Sequence, residues 1–203
     1  MAPRMVIFDL DDVLCRYDLG CRLRALSRVS GKTPRDIRTA VWDSGFEDES
    51  DAGGYADPLN YLAEFGRRIG HPITLAEWIA ARREAMTPCT EVLVLARRIS
   101  QRARIAIFTN NGPLLKLHLA ELFPEAAAIF AECYCSYEFA AKKPDPNSFL
   151  RLLLKLDVAP QDAWFIDDKH SNVQGARMAG LIGHHFRSPA LLAAEAKVLG
   201  LIE

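Results

Sequence analysis

Hydrophobic and polar positions follow two regimes along this chain. Short apolar runs bounded by polar residues read as buried strands at Met5–Phe8, Arg104–Thr109, Ala163–Ile166 and Ile182–Phe186, and the β-branched and aromatic run 128–136 reads as a further strand. Between them lie segments with leucines and other apolar residues at helical spacing: 91–98, 114–123, 146–156, 172–180 and the alanine-rich stretch from Pro189. Apolar strands alternating with helices predict an α/β fold, a Rossmann-like parallel sheet covered on both faces.

The region from Tyr17 to Met86 has helical periodicity only. Leu19, Leu23, Leu26 and Val29 mark one face, and Gly31 is a natural stop. Thr33-Pro34 caps and starts a second helix, and Leu59, Leu62, Phe65 and Ile69 define a third. Thr74-Leu75-Ala76-Glu77 is a capping box that opens a fourth. The glycine- and carboxylate-rich stretch 43–57 reads as a loop. The arginine pairs Arg67-Arg68, Arg82-Arg83 and Arg97-Arg98 fall on helices and read as solvated faces. The whole region is expected to be a helical insertion in the α/β scaffold.

Composition narrows the function classes. The chain has 203 residues, half of them hydrophobic, which is enough for one core domain with a small insertion. Its 25 Lys and Arg balance 26 Asp and Glu, so charge argues neither for a nucleic-acid partner nor for an acidic disordered tract. No apolar run is long enough to span a bilayer, and the first residues run straight into a strand without a signal-peptide pattern, so a cytoplasmic protein is expected. Five cysteines without metal-ligand spacing read as free thiols. The histidines His118, His170, His184 and His185 have no spacing that suits a metal site.

The candidate chemistry stands at the strand ends. Asp9 and Asp11 follow the first strand with one residue between them, so both carboxylates can face one site. Aspartates in such a place also cap turns, and that reading stays open for this pair alone. Two later strands end alike, in Thr109-Asn110 and in Asp167-Asp168, and Lys142-Lys143-Pro144 lies between them. A parallel sheet brings all these ends to one edge. Acidic groups suit a hard cation with oxygen ligands, best Mg²⁺. A hydroxyl, an amide and a lysine suit phosphate oxygens, and a carboxylate can take up a phosphoryl group.

This set, in this order, resembles the haloacid dehalogenase-like superfamily over essentially the whole chain. The four signatures are Asp9-Leu10-Asp11-Asp12-Val13, Phe108-Thr109-Asn110, Lys143-Pro144-Asp145-Pro146, and Phe165-Ile166-Asp167-Asp168 followed by Asn172 and Gly180. The resemblance implies a core of residues 1–15 and 87–203 and a helical cap of residues 16–86, with hinges near 14–18 and 87–91. It implies that Asp9 is the nucleophile and Asp11 the general acid/base. Thr109 and the Asn110 amide would hold phosphate, and Lys143 would anchor nucleophile and phosphate, Lys142 being one step out of register. Asp9, the Asp11 carbonyl and Asp167 would ligate Mg²⁺, with Asp168 supporting through indirect contacts.

The dehalogenase branch lacks an aspartate two residues after its nucleophile, so Asp11 favours phosphate esters over carbon–halogen bonds. Asp12 stands where many members have glycine. Trp42-Asp43-Ser44-Gly45 is similar to the cap pattern of sugar-phosphatase-like members, a branch akin to the phosphatase of epoxide-hydrolase N-termini. Arg16, Trp42, Ser44 and Gly45 are therefore the residues expected to face the substrate, with core packing the alternative for Trp42 and a solvated charge for Arg16. The implied activity is Mg²⁺-dependent hydrolysis of a small phosphorylated metabolite, a sugar phosphate being one candidate, by a monomer or homodimer with no nucleic-acid or membrane partner. A phosphomutase of the same family is the nearest alternative. A receiver-type signalling domain or a non-catalytic phosphoryl-binding protein is the alternative from another class.

Overall fold

The computed structural model describes residues 2–203. Five strands form one parallel sheet: β1 (Met5–Phe8), β4 (Arg104–Thr109), β5 (Cys133–Cys135), β6 (Ala163–Asp167) and β7 (Ile182–His185), in the order β5-β4-β1-β6-β7. Central β1 has no exposed residue, because both faces of the sheet are covered. Its side chains alternate between two cores. Met5 and Ile7 join Ala106, Phe108 and Phe165 under α10 (Pro146–Leu156) and α11 (His170–Met178). Val6 and Phe8 join Ile107, Trp164 and Ile166 on the opposite face, packed by α6 (Thr90–Ile99) and α12 (Pro189–Val198). Burying both faces fixes the register, and so fixes which residue emerges at each strand end.

All five expected strands form, although the run 128–136 yields only three strand residues. Pro124 starts a short helix, α9 (Pro124–Ala127), which takes up the chain before it. The expected helix 114–123 breaks at His118 into α7 (Pro113–Leu117) and α8 (Leu119–Leu122).

The insertion holds α1 (Leu19–Ser30), α2 (Pro34–Val41), α3 (Phe46–Asp51), α4 (Pro58–Ile69) and α5 (Leu75–Glu84). The local signals act as read. Gly31 ends α1 at φ 70°, and Thr33 caps α2 through the Asp36 N–H. The Thr74 and Glu77 side chains cap each other's backbone at the start of α5. The stretch 43–57 is not all loop. Phe46 and Ser50 lie four residues apart and are both buried, Phe46 among Tyr55, Tyr61 and Phe65, and this packing sustains α3 despite its polar sequence. Its acidic residues Glu47, Asp48 and Glu49 sit in the first turn, where the helix dipole favours them.

The two chain crossings into and out of the insertion pair with each other. β2 (Cys15–Tyr17) and β3 (Met86–Pro88) form an antiparallel ribbon at the positions expected to be hinges. Asp12 shapes the turn before it. It sits at φ 62°, in the left-handed region that a short polar side chain tolerates, and its Oδ1 accepts from the Tyr17 N–H at 3.1 Å. That geometry explains why glycine is at home at this position and what aspartate adds there. All five cysteines are free, and among the described residues no helix is long and apolar enough to cross a membrane.

Candidate active site

The sheet order places β1 between β4 and β6, so Asp9, Thr109 and Asp167 emerge side by side at its carboxyl edge. Lys143 arrives from the loop before α10, and two hydrogen bonds seat it. The Asn110 Nδ2 donates to the Lys143 carbonyl at 2.8 Å, and the Lys143 N–H donates to Asn110 Oδ1 at 2.9 Å. The Asn110 side chain is thus spent on the lysine loop, and any phosphate contact of the Asn110 amide falls to its main chain. The Lys143–Pro144 peptide bond is cis. Helix α11 presses on this turn so closely that a Cβ at Gly175 would lie 2.0 Å from the Pro144 carbonyl oxygen, which only glycine permits.

The buried Lys143 ammonium has three donors and three acceptors: Asp167 Oδ2 at 2.7 Å, Asp9 Oδ1 at 2.9 Å and the Phe108 carbonyl at 3.0 Å. Burial alone would lower its pKa, but Asp167 and then Asp9 outweigh it and raise it. Asp9 Oδ1 also accepts from the Leu10 N–H at 2.8 Å, so both contacts fall on one oxygen and Oδ2 is uncommitted. Burial pushes the Asp9 carboxyl well above its usual range. Lys143 pulls it back and Asp167 pushes it up again. Asp167 goes the other way: burial would raise it, but Lys143, the Lys169 N–H and Asn172 hold it low.

Asp167 and Asp168 have different hydrogen-bond surroundings. Asp167 accepts from Lys143, from the Lys169 N–H at 2.8 Å and from Asn172 Nδ2 at 3.0 Å on each oxygen. Asp168 has a buried Oδ1 with no partner, and burial followed by the Asp167 charge raises its pKa. Its main-chain carbonyl lies 2.8 Å from His185 Nε2, which steadies it. Asp9, Asp167 and Asp168 each offer an oxygen within 4.8 Å of the others, and among the described residues this is the one such cluster. Three carboxylates, if all ionised, against one ammonium would leave two negative charges, and one oxygen of the set, Asp168 Oδ1, is buried without a partner. A divalent cation with oxygen ligands fits that arrangement in charge and chemistry.

Asp11 stands apart from the cluster. Both of its oxygens contact Arg82 Nη2 of α5, at 2.6 and 2.8 Å. The expectation that Arg82 is solvated is wrong, for its side chain is 3% exposed. Burial alone would lower its pKa, but Asp11 overrides that and raises it. The signal was available: Arg82 falls four residues after buried Trp78, on the face that α5 turns inward. Arg67, by contrast, is exposed as expected. Asn111 is a second residue that sequence reading missed. Its Nδ2 donates to Thr109 Oγ1 at 2.8 Å and lies 3.4 Å from Asp11 Oδ2. Because the Thr109 oxygen accepts there, its own O–H is left to donate elsewhere.

The candidates in the insertion have mixed placements. Arg16 is exposed on the ribbon. Trp42 packs edge-on to Phe65 and under the Arg22 guanidinium, which is core packing. The Ser44 hydroxyl donates to the Ala40 carbonyl at 2.8 Å and accepts from Arg68 at 3.0 Å, and Gly45 makes the turn into α3 at φ 81°. The motif Trp42–Gly45 therefore builds the α2–α3 corner.

The insertion lies over the strand edge. Ser136 Oγ donates to the Asp51 carbonyl at 2.6 Å, Lys142 pairs with Asp48, and Ser50 packs against Gly112 of the Thr109–Gly112 loop. Lys142, the rival of Lys143, is thus engaged by the insertion rather than by the strand-end carboxylates.

Residues 3–180 match the family described as haloacid dehalogenase-like hydrolase. The chain is 24% identical over 193 residues to the phosphatase MT3486 of Mycobacterium tuberculosis, covering 89% of this chain and 86% of that one. It is 22% identical over 187 residues to the sesquiterpene phosphatase astK of Aspergillus oryzae, covering 90% and 89%. In fold it is similar to a haloacid dehalogenase-family enzyme of Bacteroides thetaiotaomicron solved with magnesium and inorganic phosphate, with a TM-score of 0.77, 18% identity and coverage of 91% and 94%. It is also similar to the L-2-haloacid dehalogenase of Xanthobacter autotrophicus, with a TM-score of 0.62, 18% identity and coverage of 97% and 83%.

Proposed function

The chain belongs to the haloacid dehalogenase-like hydrolase family, and on that premise we propose that it is a magnesium-dependent phosphatase acting on a small phosphorylated metabolite, a sugar phosphate being one candidate, through an aspartyl phosphate on Asp9. The observation that carries this reading is the convergence of Asp9, Thr109, Lys143 and the Asp167–Asp168 pair at one sheet edge, with Asp11 two residues beyond the nucleophile.

In this reading Asp9 Oδ2 attacks phosphorus while Lys143 holds Oδ1 and steadies the charge. The ester P–O bond breaks, and Asp11 gives its proton to the leaving alkoxide. Water, deprotonated by Asp11, then attacks phosphorus and frees Asp9. The Thr109 hydroxyl and the main chain at Asn110 hold the phosphoryl oxygens. Magnesium, when bound, neutralises charge on the transferring group. Asp9, the Asp11 carbonyl and the Asp167–Asp168 pair are the residues that would hold it, and the orphaned Asp168 oxygen supports a direct contact from Asp168, with Asp167 committed to Lys143 and Asn172. The insertion, residues 16–86, serves as the cap that excludes water and selects substrate over a core of 1–15 and 87–203.

A screen of phosphate monoesters with Mg²⁺, read as released inorganic phosphate, tests this. Release is expected with Mg²⁺ and not with excess chelator, and Asp168→Asn is expected to need more Mg²⁺ for half-maximal rate. Free phosphate separates hydrolysis from return of the phosphoryl group to a product. Undiminished release with the metal removed contradicts the reading.

A further inference from the structure

The cycle proposed above leaves Arg82 without a task, yet Arg82 makes the closest contacts of the Asp11 carboxylate. It comes from the last turns of α5, in the insertion, and reaches across to the core. Its guanidinium is held over the Tyr17 ring at 4.1 Å. The Tyr17 hydroxyl in turn accepts from Arg22 Nη1 at 3.2 Å. Arg22 is itself buried, with its guanidinium 5.0–5.8 Å from the ring centres of Trp42, Phe65 and Trp78. Tyr17 is tied to the end of α5 through the ribbon, where it pairs with Met86. The stack of Arg22, Tyr17 and Arg82 therefore aims one guanidinium from the insertion at one carboxylate of the core. A cation so desolvated is costly unless an anion meets it, and among the described residues the carboxylate that meets Arg82 is Asp11.

We infer that Arg82 is a positioning residue for Asp11: it fixes the acid/base carboxylate when the insertion is closed on the core, and so links closure to proton transfer. The inference rests on the phosphatase reading, in which Asp11 protonates the leaving oxygen as the ester bond to phosphorus breaks. An arginine that acted only on folding would slow every substrate alike. One that acts through Asp11 matters most where the leaving group needs a proton.

The test compares kcat/KM, which reports the steps through formation of the aspartyl phosphate, on two esters. An alkyl phosphate leaves as a basic alkoxide, and nitrophenyl phosphate leaves as a stable phenolate. Arg82→Met is expected to lower kcat/KM on the alkyl ester by roughly 10–100-fold and on the nitrophenyl ester by no more than about threefold, since general acid catalysis helps poor leaving groups. Asp11→Asn combined with Arg82→Met is expected to be no slower on the alkyl ester than Asp11→Asn alone. Arg82→Lys keeps a buried cation and serves where the methionine variant does not fold; a smaller loss with the same dependence on the ester is expected. Equal losses on both esters in a folded variant, or losses that multiply in the double variant, overturn the inference while leaving the phosphatase reading standing. A wild-type protein that hydrolyses neither ester overturns both.

Discussion

Replacing Asp9 with asparagine is expected to abolish turnover while leaving the fold in place. The amide keeps an oxygen to accept from the Leu10 N–H and from Lys143, the two contacts the carboxylate makes in the structure. What it loses is the anionic oxygen that attacks phosphorus in the proposed cycle. Without the nucleophile the rate should fall on the order of 10⁴-fold or more, a barrier increase of about 5 kcal/mol. Steady-state phosphate release checks the rate, and thermal melting checks the fold. A melting temperature close to wild type with full activity would remove Asp9 from the mechanism.

Replacing Lys143 with methionine is expected to damage both stability and activity. Methionine is flexible and of comparable reach, so shape is not the issue. The loss is of charge, because Asp9 and Asp167 would then face each other in a buried site with no ammonium between them. Breaking a buried ion pair in this way costs about 3–5 kcal/mol. For a chain of this size that is a fall of roughly 6–20 °C in Tm. Activity should fall with it, because Asp9, the proposed nucleophile, loses the cation that fixes Oδ1. Mg²⁺ should restore more melting temperature to the variant than it adds to the wild type, because the variant carries more uncompensated negative charge. Calorimetry or circular dichroism with and without Mg²⁺ measures this; equal Mg²⁺ effects on both proteins would argue that the cation does not sit among these carboxylates.

The meeting of Asp9 with Thr109 and Asp167 was legible in the sequence because strand ends in a parallel sheet are obligatory neighbours. Once Met5–Phe8, Arg104–Thr109 and Ala163–Asp167 form, the groups that follow have one edge to occupy. The two cores that clamp β1 permit no slip of register. Proline marked the lysine loop, although nothing in the sequence showed that Asn110 would be used to seat it. The insertion was legible as helices from its caps and spacing. Its contents were less so, because tertiary contacts overruled local composition. A carboxylate-rich stretch became α3 once Phe46 found an aromatic pocket. Of the arginine pair on α5, spacing from Trp78 could mark Arg82 as the inward member, but not its partner Asp11, which lies 71 residues away. The different surroundings of Asp167 and Asp168 could not be read from position, since adjacent residues at a strand end differ only in which neighbours reach them. Lys143, Lys169 and Asn172 reach Asp167, and that selection is made by α11 and the lysine loop rather than by the strand.

In the proposed cycle Asp9 carries the phosphoryl group during turnover. Acid quenching of the enzyme during hydrolysis of a good phosphate ester with Mg²⁺, followed by peptide mass analysis, tests it directly. One added phosphoryl group is expected on the peptide spanning Met5–Leu14, located on Asp9 and absent from the Asp9→Asn variant. Phosphate release at full rate with the phosphoryl group on a different residue, or on none, would contradict it.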